Sequence, residues 1–295
     1  MAARSRDRPD GSWRSLAMPG APIGGRKVGQ DTLVKPGARI SLNDYDPGFC
    51  SGYHKRDTAV VDRLAADLET MRELQERLYA EGKQALLIVL QGMDASGKDG
   101  TVRHVMSGLN PQSCYVVSFK VPTPEELSHD FLWRIHRRTP GKGEIAVFNR
   151  SHYEDVVAVR VRGLLSEKEC RRRYDQINYF EQHLVANGTR VVKLFLHISA
   201  DEQKQRLEAR LRDPTKQWKF RPGDLDDRAR WNDYMRAYED AIAACSTDLA
   251  PWYIIPANRK WYRNLVVAQI VAATLHEMDP QWPKPRADLS SLVIS

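Results

Sequence analysis

Apolar residues recur at three- and four-residue steps between Val60 and Leu78, taking in Leu64, Leu68, Met71 and Leu74. That is the spacing of one helical face. Asp57 stands where an N-cap belongs and Gly82 where a helix stops, so the pattern predicts a helix from Thr58 to about Gly82. The pattern then changes. Ala85–Leu90 (ALLIVL) is an unbroken apolar run, as expected of a strand buried on both faces. Tyr115–Phe119, Ile145–Phe148, Val191–Ile198 and Trp252–Ile255 are similar runs. Helical patterns separate them, several with explicit start signals. Thr123-Pro124-Glu125-Glu126 offers a cap, a first-turn proline and a capping-box glutamate, and Ser166–Glu169 and Ser199–Glu202 repeat the box. Strands alternating with helices predict an α/β fold, a parallel five-stranded sheet sandwiched by helices. With no internal repeat and no second core, the expected organisation is a mobile tail over 1–30, an N-terminal extension and helix over 31–84, one main domain over 85–280 and a C-terminal tail over 281–295.

Composition narrows the class of partner rather than the fold. Lys and Arg number 45 against 38 Asp and Glu, a net charge of +7 that favours an anionic ligand. The four cysteines, Cys50, Cys114, Cys170 and Cys245, are scattered and contain no C-x-x-C pair, which argues against a disulfide scaffold or a zinc knuckle and for reduced thiols. Asn264–Leu275 is apolar but far short of the ~20 residues that span a bilayer. The N-terminus lacks the apolar stretch of a secretory signal. No membrane association and a cytoplasmic location are expected.

The chemistry begins after the first apolar run, at Gly92-Met93-Asp94-Ala95-Ser96-Gly97-Lys98. This is G-x-x-x-x-G-K between a buried strand and a predicted helix over Thr101–Met106. Gly92 and Gly97 allow a tight turn whose N–H groups, with Ala95, Ser96 and the start of the helix, point at phosphate oxygens, and Lys98 adds a full charge. Position 99 is Asp rather than the Ser or Thr that ordinarily ligates Mg²⁺. Asp99 and Gly100 suit a helix start. Asp94, a carboxylate inside a phosphate loop, is either a Mg²⁺ ligand or a salt-bridge partner that holds the loop.

Two further segments belong with the loop. Ile145–Phe148 ends at Asn149-Arg150-Ser151-His152-Tyr153-Glu154, at the carboxyl end of a strand where open α/β sheets bind ligands. Arg150 is a phosphate clamp candidate. Asn149 stands where an Asp is usual, Glu154 is a further candidate that also completes a capping box with Ser151, and His152 reads as packing. Downstream, Arg206 and Arg210 lie four apart on one helical face, Pro214 ends that helix, and Lys216, Lys219 and Arg221 continue the basic run. A basic lid over about 203–223 is expected to close on the phosphate site. Lys120 and Arg134, after the second strand, are additional candidates for substrate phosphates.

Five stretches taken together resemble the polyphosphate kinase 2 family: QGMDASGKDGTVRHV, SFKVPTPEELSHDFLWR, FNRSHYEDV, EQKQRLEARLRDPTKQWKF and APWYIIPANRKW, in that order. The resemblance implies a P-loop kinase of thymidylate-kinase-like fold with a helical lid. It implies Mg²⁺-dependent phosphate transfer between inorganic polyphosphate and adenine nucleotides, and a homo-oligomer. It places the family's functional residues on Asp94, Lys98, Arg150, Arg206 and Arg210. FNRSHYEDV is similar to the class III branch, which accepts both AMP and ADP. Rival readings are an ATP-dependent nucleoside-monophosphate kinase of the same fold and a nucleic-acid-binding P-loop ATPase. No nucleic acid is expected, because aromatic residues are not interleaved with the basic ones.

Overall fold

The structure, a computed structural model, describes residues 32–285, so the proposed N-terminal tail and most of the C-terminal one lie outside the described residues. Five strands form one sheet: β1 (Ala85–Gln91), β2 (Cys114–Ser118), β3 (Ile145–Asn149), β4 (Thr189–His197) and β5 (Trp252–Pro256). Every pairing is parallel and the spatial order is β2-β3-β1-β4-β5. The chain thus leaves β1 toward one side of the sheet and later crosses to the other. The loop after β1 lies at this reversal, at the carboxyl end of the strand between β3 and β4, where open α/β sheets form a binding crevice.

β1 is buried along its whole length, which explains its unbroken apolar run. Its residues divide between two cores. Leu86, Ile88 and Leu90 face a layer formed by α1 (Thr58–Glu81) and α10 (Lys260–Met278). Leu87 and Val89 face a layer formed by α6 (Glu167–Ala186) and α9 (Trp231–Cys245). The apolar stretch Asn264–Leu275 is the middle of α10, buried against the sheet and α1. Among the described residues no helix is long and apolar enough to cross a membrane. Residues 32–34 run antiparallel beside β5, with Val34 N donating to Trp252 O (2.9 Å) and Ile254 N donating to Thr32 O (2.7 Å). They cover an edge that would otherwise present unpaired backbone groups.

The predicted boundaries differ from the observed ones in instructive ways. α1 starts at Thr58 and ends before Gly82, which adopts the left-handed conformation at φ +60°. Asp57 precedes α1 but turns its carboxylate back to His54 N (2.7 Å) instead of capping the helix. The boxes at Thr123 and Ser166 are reciprocal, opening α3 (Pro124–Leu127) and α6. At Ser199 only the hydroxyl half forms, because the Glu202 carboxylate is taken by Arg206. The helix α2 (Lys98–Val105) begins directly at the loop lysine, three residues earlier than the apolar pattern suggested.

Between the sheet and α6 lies a polar cluster within the second core. Lys193, on β4, is wholly buried; its Nζ donates to Glu181 Oε2 (2.6 Å), Tyr153 Oη (3.0 Å) and Cys245 O (2.5 Å). Glu181 Oε1 also accepts from Tyr153 Oη (2.9 Å) and faces His152 Nε2 at 3.1 Å. Burial pushes the Glu181 carboxyl up, but Lys193 and His152 outweigh it and hold the group below its ordinary range. The cluster fastens His152–Asp155, the turn that follows β3, to the centre of the molecule. Removing one partner strands the other charge, so Lys193→Met should lower the unfolding free energy by about 3 kcal/mol or more. The double variant Lys193→Met/Glu181→Gln should lose less than the single one. Urea titrations check this, and additive losses would show that the charges are not coupled.

Candidate active site

The loop Gly92–Gly97 joins β1 to α2 at the crevice. Gly92 adopts φ +142°, and a Cβ there would lie 2.7 Å from Leu196 O and 2.9 Å from Ser96 Oγ. Gly97 adopts φ +104°, and its Cβ would lie 1.9 Å from Nη1 of Arg263. Both glycines are therefore required twice over, by conformation and by space. Inside the turn Ser96 Oγ is buried and carries no hydrogen bond among the described residues. Lys98 is also buried. Its ammonium curls back to Gly92 O (2.7 Å) and Met93 O (3.2 Å). Burial, aided by the Arg150 charge, lowers its pKa from 10.5 to about 8, against the opposite pull of Asp94, Glu154 and Asp99.

Arg150 closes the loop from the β3 side. Its backbone is left-handed at φ +66°, a conformation disfavoured for a residue with a side chain. That turn aims the guanidinium across the crevice. Nη2 meets Asp94 Oδ1 at 2.5 Å and Nη1 meets Glu154 Oε2 at 3.2 Å. Asp94 thus holds a salt bridge, and Glu154 faces the arginine rather than capping its own turn. Next to them Asn149 Nδ2 donates to Asp99 Oδ1 (2.8 Å) and Lys219 Nζ donates to Asp99 Oδ2 (3.1 Å). Burial raises the Asp99 carboxyl, but these two donors more than offset it and leave the pKa below the usual value. Asn149, at the strand tip, thus holds a carboxylate of α2 beside it.

The basic segment divides by role. Arg206, on α7 (Ala200–Arg212), is largely buried and commits its guanidinium to backbone oxygens. Nη1 donates to Ala95 O and Ser96 O (both 2.9 Å), and Nη2 donates to Ala257 O (2.6 Å) and Asn258 O (2.9 Å). It ties the loop to the end of β5. Arg210, one turn on, meets Lys219 O (3.3 Å) and Asp224 Oδ2 (3.4 Å), on the neighbouring α8 (Gly223–Ala229). Lys216 is exposed and paired with Asp213, and Lys120 is exposed at the end of β2. Arg134 is buried in α4 (Trp133–His136), with Nη1 on Lys120 O (2.9 Å) and Nη2 on Asp155 Oδ2 (3.2 Å). The structure therefore gathers Asp94, Lys98, Asp99, Asn149, Arg150, Glu154 and Arg206 around the loop. It puts Gly100 against Arg263. Arg134 has a bracing position, away from the loop's own hydrogen bonds.

A family model for polyphosphate kinase 2 matches residues 54–283. The chain belongs to the polyphosphate kinase 2 family. It is 49% identical to an AMP/ADP-polyphosphate phosphotransferase of Meiothermus ruber over 261 residues, covering 88% of this chain and 98% of that protein. It is 43% identical to an ADP-polyphosphate phosphotransferase of Rhodopseudomonas palustris, covering 85% and 91%. A polyphosphate kinase 2 crystal structure from Arthrobacter aurescens superposes with a TM-score of 0.85 at 44% identity, over 90% of this chain and 95% of that one. The fold of this family member is accordingly that of a P-loop kinase, and the protein is a phosphotransferase.

Several residues of the candidate site carry no motif in the sequence. Arg162, Asp227, Tyr234 and Tyr238 wall a pocket with Gly92, Asp94, Arg150 and Glu154. Gln203 Nε2 donates to Asp94 O (3.1 Å) and is itself held by Arg228 (3.0 Å). Arg263 lies on the buried side of α10. The readable signal for Arg263 was an arginine four residues before Val267 and seven before Ile270, in register with an apolar face. The lining tyrosines carry no motif, because only the packing of α9 brings them to β3.

Two outcomes follow from this geometry. Gly97→Ala should destabilise the protein by about 2 kcal/mol or more, since it strains φ and displaces Arg263; thermal or urea unfolding measures it, and a neutral result would mean that the loop relaxes freely. Lys98 titrates near pH 8 in the free protein, below the 10.5 of an unfolded lysine. The penalty of keeping it charged in the fold is therefore complete below about pH 8 and fades as pH rises toward 10.5. Anion binding needs the charged form, so affinity for tripolyphosphate should fall about fivefold between pH 8 and pH 9. Lys98→Arg should remove that step in calorimetric titrations, and a flat wild-type affinity over this range would contradict the assignment.

Proposed function

We propose that the protein transfers a phosphoryl group from inorganic polyphosphate to AMP, ADP or both, giving ADP and ATP, with Mg²⁺ as cofactor. The observation that carries this reading is the loop itself. A buried lysine donates to backbone oxygens only, beside an arginine held between two carboxylates, in a chain similar over 88% of its length to an AMP/ADP-polyphosphate phosphotransferase.

The residues divide the work in the following way. Loop N–H groups, Ser96 Oγ and Lys98 receive the oxygens of the phosphate chain. Lys98 exchanges its hydrogen bonds to Gly92 O and Met93 O for phosphate oxygens, which stabilise its charge better. Arg150 reaches the transferring group, where charge is spread over the equatorial oxygens. The acceptor is a nucleotide phosphate oxygen, already a nucleophile, so no side chain need act as a base. Arg210, Lys216 and Lys219 form the basic lid, which Lys219 latches to Asp99 in the present conformation. Arg206, proposed from its spacing as a twin of Arg210, is better assigned to bracing the loop, because five hydrogen bonds to protein acceptors use its donors.

The acidic residues fit Mg²⁺. Asp94 engages Arg150 through Oδ1 and carries no hydrogen bond on its second oxygen among the described residues. Among the described residues no group of three or more His, Cys, Asp or Glu side chains is placed to hold a metal ion. Mg²⁺ ordinarily takes one or two carboxylates and completes its shell with substrate phosphates and water. Asp94 would hold it, and the ion would neutralise phosphate charge.

The test is incubation with either polyphosphate or ATP as donor and either AMP or ADP as acceptor, with products separated by chromatography. Polyphosphate should support ADP or ATP formation, and chelation of divalent ions should stop it. Phosphorylation of AMP from ATP but not from polyphosphate would instead make the protein a nucleoside-monophosphate kinase. Asp94→Asn should cut turnover by about a hundredfold and raise the Mg²⁺ concentration needed for half-maximal rate. An unchanged Mg²⁺ requirement in that variant would remove Asp94 from the metal site and leave it with the salt bridge alone.

A further inference from the structure

The loop has a second buried cation behind it. Arg263 lies in the first turn of α10 and is only 2% exposed. Its Nε and Nη2 both donate to Asn264 Oδ1, at 3.2 and 2.8 Å. This fork fixes the guanidinium plane. Nη1 then occupies the space a Gly97 side chain would fill, and Nη2 lies 3.2 Å from where a Gly100 Cβ would be. Arg263 thus presses against the first turn of α2 from behind the loop.

No carboxylate pairs with Arg263 among the described residues. The charged group that bears on it is Arg206, which repels it. Burial and that repulsion lower its pKa to about 10. A guanidinium in such a place is unfavourable for the empty fold, since burial without a counter-charge is among the more destabilising arrangements known. An apolar side chain would fill the same space without the penalty. The neighbouring arginine has Glu202 as a partner at 2.7 Å, so the region was able to supply an acid where only structure was at stake.

We propose that Arg263 is a built-in counter-charge for the bound phosphate chain, a positioning residue that raises the positive potential of the loop from behind without touching substrate. The proposal rests on the reading that a phosphate chain binds at Gly92–Lys98. Its logic is linkage. A charge that destabilises the empty protein and attracts the anion makes the protein more stable with ligand than a neutral side chain would, and less stable without it. Two cations, Lys98 in front and Arg263 behind, would then share one polyanion across the start of α2. The positive end of that helix points the same way.

The experiment measures the thermal midpoint of the full chain alone and with long-chain polyphosphate, in wild type, Arg263→Gln, Arg263→Met and Arg263→Lys. The neutral variants should unfold at or above the wild-type temperature without ligand. Both should bind polyphosphate about tenfold more weakly, so that their stabilisation by a fixed concentration shrinks. The KM for polyphosphate should rise by a similar factor, with the KM for the nucleotide changed less than twofold. Arg263→Lys should keep most of the polyphosphate response, because it keeps the charge. Using two neutral variants guards against one of them failing to fold. Neutral variants that lose stability without ligand but keep the wild-type polyphosphate shift would assign Arg263 to packing and overturn the proposal. A wild-type chain with no polyphosphate shift at all would instead overturn the underlying reading of the loop, and the role of Arg263 with it.

Discussion

Two buried cations without a carboxylate contact flank the loop after β1, and the rest of the site is arranged around them. Lys98 rests on Gly92 O and Met93 O, and Arg263 rests on Asn264 Oδ1. Three other basic groups nearby are paired. Arg150 has Asp94 and Glu154, Arg206 has Glu202, and Lys219 has Asp99. The protein therefore pairs those charges directly with carboxylates, while Lys98 and Arg263 touch only dipoles; acids act on Lys98 from a distance, and on Arg263 none does. A buried charge with only dipolar partners is a standing penalty that an incoming anion can relieve. Phosphoryl transfer asks a protein mainly for positioning and charge neutralisation, which is what such an arrangement supplies.

The geometry is held in place by interactions that are themselves unremarkable in chemistry but demanding in position. Arg150 reaches Asp94 only because its backbone is left-handed. That conformation persists because the next residues are pinned: Arg150 N donates to Leu90 O (3.1 Å), while His152 and Tyr153 are fixed to Glu181 and Lys193 in the core. On the far side Arg206 binds four backbone oxygens that belong to the loop and to the end of β5. The loop is thus clamped by one arginine from β3 and another from α7, and both clamps trace back to the parallel sheet that sets those strand ends side by side.

Much of this was legible in the chain. The five apolar runs became the five strands, and the G-x-x-x-x-G-K spacing, the FNR tip and the Thr123 and Ser166 boxes report local rules that hold wherever the segment lies. What could not be read was how long side chains choose among neighbours distant in sequence. Arg206 and Arg210 have the same spacing rule and the same composition around them, yet one faces the loop backbone and the other the α8 segment. Arg134 looked like a substrate contact beside Lys120 and is buried against Asp155, since a neighbour 21 residues away decides its environment. Arg263 was hidden for the opposite reason: a long apolar helix with one arginine on its buried side reads as core, and the significance of that arginine depends on two glycines far upstream, Gly97 in the loop and Gly100 in the first turn of α2. That Lys98 is buried could not be read from the motif, because burial is a property of the closed crevice.

A crystal structure of the protein with a short linear polyphosphate bound tests this account most directly. The account predicts phosphate oxygens within hydrogen-bond distance of Lys98 Nζ, now released from Gly92 O and Met93 O, with the Arg263 guanidinium still seated on Asn264 behind Gly97. A phosphate chain bound elsewhere, with Lys98 still folded onto the loop carbonyls, would contradict it.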